Sequence, residues 1–379
     1  MAQAVAGPAL ALEADILDDR ISVASQWQLT WWRFRKHILA MIGAAIIIMF
    51  YLVVVFADFV AYSNPNDSQA NRGLIPPQPV YLFYIGKWDP FVYGLTGARD
   101  PNTFQLNYKI DYQRRIPLTL FAPGFRYNLL GFIPTNIHLA GVQGARAEDT
   151  LFLFGTDIQG RDVFSRVVYA TRTSLSIGLV GVSLSLFLGV TLGGLSGYVG
   201  GIVDMVIQRV IEILRSIPTI PLWMGLAAAM PKTWSITQVY FAITLIISLL
   251  AWTDLARVVR GRFLSLREED FVSAAELVGC SRRRIIFVHM VPSFLSHIIA
   301  ATTLALPAMI ISETSLSFLG LGLRPPAISW GVMLQDAQNV QSVALSPWLL
   351  IPAIPVIVAV LAFNFVGDGL RDAADPYGG

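Results

Sequence analysis

The side chains best placed to do chemistry in water lie between Phe271 and Pro292, in the run FVSAAELVGCSRRRIIFVHMVP, a basic, half-polar island flanked by long apolar stretches. Ala274 and Ala275, followed by Glu276, are small enough for a partner surface to approach to van der Waals distance. Gly279 can adopt the left-handed conformation that ends a helix. Ser281 can cap a new helix through its hydroxyl, Arg282, Arg283 and Arg284 follow, and Pro292 marks the entry to the next apolar run. The pattern predicts a short surface helix, a turn and a second segment fixed to a membrane helix. Such a lever can pass a rigid-body push into the membrane. The plainer reading is a solvated basic loop that only satisfies topology.

Enzymatic chemistry is not expected. There is no GxxxxGK[ST] loop to cradle a nucleotide phosphate, and the Gly193-Gly194 and Gly200-Gly201 pairs lack the required lysine. HExxH and GxSxG are also missing, which disfavours a membrane-embedded hydrolase. His37, His138, His289 and His297 are too scattered in sequence for a metal site, and the single cysteine, Cys280, excludes an internal disulfide. No catalytic residue, metal or cofactor is therefore expected in this chain. Charge inside the membrane is the other place to look, because burying it is expensive. Glu313, near the outer end of its helix, is the clearest case, with Glu212 and Asp254 closer to the opposite boundary. A proton-coupled pump would carry several such groups near mid-membrane. A structural hydrogen bond is the expected role of Glu313, ahead of a substrate contact or a proton relay.

The elements that must position these residues are membrane helices. Hydrophobic residues make up 55% of the 379 and charged residues 14%, against roughly a quarter charged in a soluble protein. A net charge of +2 without a basic-aromatic patch gives no reason to expect nucleic acid. Residues 1–37 read as an N-terminal tail ending in an aromatic-basic cluster, Trp31 to His37. Residues 38–61 hold a first membrane helix built on Ile38 to Phe56, close to the ~20 apolar residues a span needs and longer than the roughly 7–15-residue core of a signal peptide. Residues 62–172 form an aqueous insertion, in which Ile116 to Phe121 and Phe125 to Leu130 predict two short strands around a turn at Ala122-Pro123-Gly124.

Residues 173–366 hold five further runs: Thr173 to Gly197, Asp204 to Ala229, Ile236 to Leu255, Phe294 to Ser315 and Leu345 to Val366. In the first of these, Gly189, Gly193 and Gly197 put small residues on one face, where another helix can approach closely. The basic island belongs to a loop at 257–292, and 367–379 is a C-terminal tail. Arg33, Arg35 and Lys36 fall on the same side as the arginines from Arg257 to Arg284, whereas the short loops opposite offer mainly Lys232 and Arg324. By the positive-inside rule both termini and the island are cytoplasmic and the insertion is outside. The expected fold is an all-α polytopic membrane protein with six transmembrane helices and a partly β extracytoplasmic insertion between helices 1 and 2.

These residues resemble an inner-membrane permease subunit of the ABC importers, in the dipeptide/oligopeptide C-type branch. The family signature, Glu-Ala-Ala, three residues, Gly, then a stretch closing in Leu-Pro, stands here as Ser273-Ala274-Ala275 through Gly279 to Val291-Pro292, with Ser273 in place of Glu and Val291 in place of Leu. Gly155-Thr156-Asp157 with Gly160-Arg161-Asp162 resembles its GTDxxGRD box. Ser315 to Gly322, just after Glu313, is similar to its LSFLGLG box, and Gly367-Asp368-Gly369-Leu370-Arg371-Asp372-Ala373-Ala374-Asp375-Pro376 to its C-terminal tail. The resemblance implies the type I importer permease fold, with Ala274, Ala275, Glu276, Gly279, Ser281 and Arg282 in or beside a coupling helix seated in an ATPase groove. It implies a homologous second permease, two ATP-binding subunits that hold the ATP and magnesium, an extracytoplasmic solute-binding protein and a bacterial inner membrane. It thins at the insertion and leaves the solute open between peptides, slightly favoured, and oligosaccharides; contact of the insertion with the binding protein or the second permease is a separate expectation. A secondary transporter driven by an ion gradient is the alternative.

Overall fold

The computed structural model describes residues 26–99, 106–142, 150–231 and 233–374. Residues 1–25 of the expected tail, Lys232 and the last residues, 375–379, lie outside them. Chain order begins with three helices, α1 (Gln26–Lys36), α2 (Ile38–Val55) and α3 (Ala57–Val60). His37 separates the first two and caps α2, its Nδ1 accepting the Ala40 N–H at 3.2 Å. The end of the expected N-terminal tail is therefore a packed helix, with Phe34 buried against Ala40 and Ala373.

The main bundle follows as α4 (Val163–Val199), α5 (Gly201–Ser216), α6 (Thr219–Ala228), α7 (Ile236–Leu266), α8 (Asp270–Leu277), α9 (Leu295–Phe318), α10 (Trp330–Leu334) and α11 (Ala353–Ala374). Among the described residues five helices are long and apolar enough to cross a membrane, or six if α5 and α6 count as one span broken at 87°. The break has a local cause: Pro218 lacks an N–H and pushes Ile217 into an extended conformation (φ −89°, ψ 129°).

Several boundaries differ from the apolar runs. Helix α4 starts ten residues before Thr173, because Asp162 caps it and Arg166 finds polar partners inside the fold. Helix α7 runs about three turns past Leu255 and carries Arg257, Arg260 and Arg262 on them, so the expected loop begins only after Leu266. The expected tail at 367–374 is the end of α11, tied to the N-terminus through His37 and Asp372 at 3.8 Å.

The glycine stripe does what close packing requires. A Cβ on Gly189 would lie 2.9 Å from Leu255, one on Gly193 2.5 Å from the Ala256 carbonyl, and one on Gly197 2.6 Å from Phe263. Backbone meets backbone along α4 and α7, which is what small residues permit in a membrane. A second core gathers Phe50, Leu175, Ile310 and Phe363 around the fully buried Trp330.

The insertion is a four-stranded antiparallel meander in the order β1 (Val80–Tyr84), β2 (Lys87–Arg99), β3 (Leu106–Leu129), β4 (Ile133–Val142). Strand β3 pairs first with β2, Phe91 facing Pro117, and then with β4, Leu118 facing Val142. The expected reversal at Ala122-Pro123-Gly124 is absent; the chain continues as one strand, with a positive φ at Phe121 and a register shift between Pro123 and Tyr127. The reason is tertiary. The His138 ring from β4 lies where a Cβ on Gly124 would sit, at 2.5 Å, so glycine makes room for a ring rather than for a reversal.

Candidate functional site

The basic island folds as the spacing predicts. Helix α8 stops at Gly279, whose φ of +79° ends it, and the Cys280 N–H returns to the Ala275 carbonyl at 3.0 Å. Ser281 then accepts the Arg284 N–H, and residues 282–293 lead through a π-helical turn, Ile285–Met290, into α9. Beneath α8, Val272 and Ala275 pack with Phe263, Ile285, Met290 and Tyr198. Helix, turn and incoming span thus share one core.

The outward surface of α8 is not the one expected from the Ala-Ala pair. Ala274 is exposed, but Ala275 is buried and faces the core, because it lies three residues after Val272 on the inner side. The exposed apolar groups are Leu277 and Val278, 89% and 83% accessible, with Phe271 beside them. Glu276 is turned back to the bundle and accepts the Tyr198 hydroxyl at 2.6 Å. Arg282 stays exposed beside it. A second tie holds the neighbouring helices, where Arg260 of α7 makes a two-pronged pair with Asp204 of α5, both contacts at 2.6 Å. Tyr198, Leu277 and Val278 have no role in the sequence reading and Arg260 only a topological one, although the i, i+3 placing of Val272 and Ala275 points Leu277 and Val278 outward.

The three acids singled out on the spanning helices all have partners. Glu313 is fully buried and accepts the hydroxyls of Ser174 at 3.1 Å and Ser317 at 2.9 Å. Those hydroxyls in turn accept the N–H groups of Trp330 and Leu323. Glu212 pairs with Arg209, and Asp254 with Arg215. A cavity of about 520 Å³ opens between α4, α6, α7 and α9, with the Arg215–Asp254 pair at its wall and Trp223, Met309 and Ser312 along it.

At the opposite end the residues 155–162 form a clasp. Gly155 and Gly160 both have positive φ. Asp157 accepts the N–H groups of Gln159 and Arg161 and bonds the Arg161 Nε at 2.6 Å. Its second neighbour, Arg166, sits at 3.5 Å, ion-pair rather than hydrogen-bond distance, and donates instead to the Pro65 carbonyl. Asp162 accepts the Ser165 N–H and the Tyr62 hydroxyl; burial pushes its carboxyl up to about 6 against those bonds. Trp348 donates to the Thr156 carbonyl at 2.9 Å. These side chains hold three stretches of chain together. Asp368, Arg371 and Asp372 lie exposed at the end of α11, far along the bundle from this clasp.

Comparison with known proteins bears on the same residues. The family described as binding-protein-dependent transport system inner membrane component matches 189–377, and the N-terminal TM domain of oligopeptide transport permease C matches 25–77. The oligopeptide transport system permease protein OppC of Haemophilus influenzae is 42% identical over 224 residues, 59% of this chain and 70% of its own. The dipeptide transport system permease protein DppC of Alkalihalophilus pseudofirmus is 40% identical over 62% of this chain and 74% of its own. DppC of Lactococcus lactis subsp. cremoris is 35% identical over 359 residues, 93% of this chain and 91% of its own, a match that takes in the insertion. Among solved structures, an inward-facing MetNI methionine ABC transporter matches at a TM-score of 0.42 and 18% identity over 55% of this chain and 97% of its own, too loosely to position any element.

Proposed function

This chain belongs to the family of binding-protein-dependent transport system inner membrane components, the permeases of ABC importers, and on that premise we propose that it carries peptides and is driven through α8. The observation that carries the reading is the contrast within that helix, with Val272 and Ala275 locked into the bundle and Leu277 and Val278 standing free beside an arginine cluster. A separate ATP-binding subunit grips Ala274, Leu277 and Val278; Gly279 and Ser281 fix the turn, and Glu276 and Arg282 orient the helix. ATP and magnesium are held by two such subunits, with no catalysis in this chain. Closure of that motor pushes the 282–293 segment and α9, and rocks this permease against a homologous second one. The 520 Å³ cavity is this chain's share of the pathway, and a solute-binding protein delivers from the side of the clasp. The chain sits in a bacterial inner membrane with α1, α8 and the end of α11 cytoplasmic.

Peptides are favoured over oligosaccharides because relatives named for oligopeptide and dipeptide transport match it, one of them nearly end to end. Nothing supports the ion-gradient alternative: Glu313, Glu212 and Asp254 each have partners. The test is Leu277→Asp with Val278→Asp in the assembled transporter. A charge buried in an interface without a partner costs about 2–5 kcal/mol, so substrate-stimulated ATP hydrolysis and uptake should be lost while membrane insertion persists. Undiminished coupled hydrolysis would show that α8 is not the grip. Ala275→Arg is the wrong probe, since it would break the core beneath the helix.

A further inference from the structure

A ring of polar side chains sits where the apolar runs of α2 and α4 give way to the insertion. The apolar helix α2 ends at Val55, and in α3 the Asp58 carboxylate accepts the Tyr169 hydroxyl at 2.6 Å and the Arg172 guanidinium at 2.8 Å. Arg172 also donates to the Val54 carbonyl, and the apolar run of α4 begins with the next residue. The β3–β4 hairpin is bolted to this ring. His138, only 1% accessible, has Nδ1 3.0 Å from the Asp58 carbonyl and Nε2 3.0 Å from that of Phe125, while Phe121 lies against Phe59 at 6.1 Å between ring centres.

From that anchor the hairpin presents an outer surface with almost no charge. Phe121 (64% accessible) and Phe132 (72%) are exposed, as are Leu130, Ile133, Ile137 and Leu139. Between 118 and 142 the one arginine or lysine is Arg126, and there is no acid. Large exposed apolar patches mark contact surfaces, and this one is continuous with the lipid-facing exit of α2. Strand β4 is also the edge of its sheet, so its outer backbone groups need water or headgroups and cannot enter hydrocarbon. We propose that the β3–β4 hairpin is an interfacial anchor lying on the outer leaflet, with Leu130, Phe132 and Ile133 at the headgroup–acyl boundary and Arg126 reaching lipid phosphate. Interfacial anchors bury Phe and Leu side chains at that depth. The anchor fixes the height of the whole insertion above the bilayer.

The experiment uses the lone cysteine. In a Cys280→Ser background, nitroxide labels at Phe132→Cys and, as a control on the same hairpin, Asn136→Cys are read by power-saturation EPR. The assembled transporter is placed in phosphatidylethanolamine/phosphatidylglycerol vesicles. The label at 132 should collide with oxygen several-fold more effectively than with a water-soluble nickel chelate, and the label at 136 should show the reverse. Equal nickel access at both positions means the hairpin stands in water, and shielding of 132 from both reagents means a protein covers it. Either result overturns the anchor, and neither touches the role of α8.

Discussion

Glu313 survives inside the membrane because it organises two chain reversals at once. Its carboxyl takes the Ser174 and Ser317 hydroxyls, which themselves hold the N–H groups of Trp330 and Leu323 as the chain folds back after α9. Removing it strands two buried hydroxyls, each costing about 1–3 kcal/mol. Glu313→Ala should therefore lower the thermal unfolding temperature of the purified transporter sharply, whereas Glu313→Gln, which still offers a carbonyl, should retain most of the stability and uptake. Loss of uptake in a stable Glu313→Gln protein would instead mark a proton carrier. That Glu313 would be hydrogen-bonded was legible from an isolated acid near a helix end. Ala275 was not legible in the same way, because small size is equally consistent with a docking surface and with a tightly filled core, and only the Val272 spacing separates them.

Two kinds of helical glycine occur in the packed pair of α4 and α7, and they can be told apart by substitution. A Cβ on Gly193 would press on the Ala256 backbone at 2.5 Å, and backbone cannot step aside. A Cβ on Gly261 of α7 meets nothing within 4 Å. Gly193→Ala should destabilise by about 1–3 kcal/mol through overpacking, while Gly261→Ala should stabilise by roughly 0.5–1 kcal/mol through helix propensity. Thermal melts of the two variants in detergent give the comparison, and equal shifts would mean α4 and α7 do not touch along this stripe. Four-residue spacing announced that contact in advance. Helix lengths were harder to read, because Arg166 at one end of α4 and Arg260 in α7 are polar residues that find partners only in three dimensions. Strand β3 was misread for a related reason. Ala122-Pro123-Gly124 is turn chemistry, yet a histidine fourteen residues later occupies the space that the glycine leaves open.

At the scale of the whole molecule the charges sort to two ends. Ile298 at the start of α9 packs in the core beneath α8, and Leu304 lies against Gly367 of α11, so the basic island and the end of α11 share one end, and Phe34 brings α1 to it. The clasp at 155–162, the sheet and the Asp58 ring share the other. There burial raises the Asp58 carboxyl, but the bonds from Tyr169 and Arg172 outweigh it and hold it below the usual carboxylate range, so that carboxylate stays ionised at neutral pH. A charged ring cannot slide into hydrocarbon, and neither can the arginines, so the molecule has one vertical setting and two possible directions. The positive-inside rule chooses between them by placing arginine-rich short loops in the cytoplasm. Cys280, half-buried beside Gly279, should thus resist a membrane-impermeant maleimide applied to intact cells and react in inverted vesicles. Asn136→Cys, in a Cys280→Ser background, should do the opposite. Reversed labelling of both would turn the bundle over and put α8 out of reach of any cytoplasmic ATPase, whereas labelling as expected leaves the exposed Leu277 and Val278 facing the compartment where ATP is available.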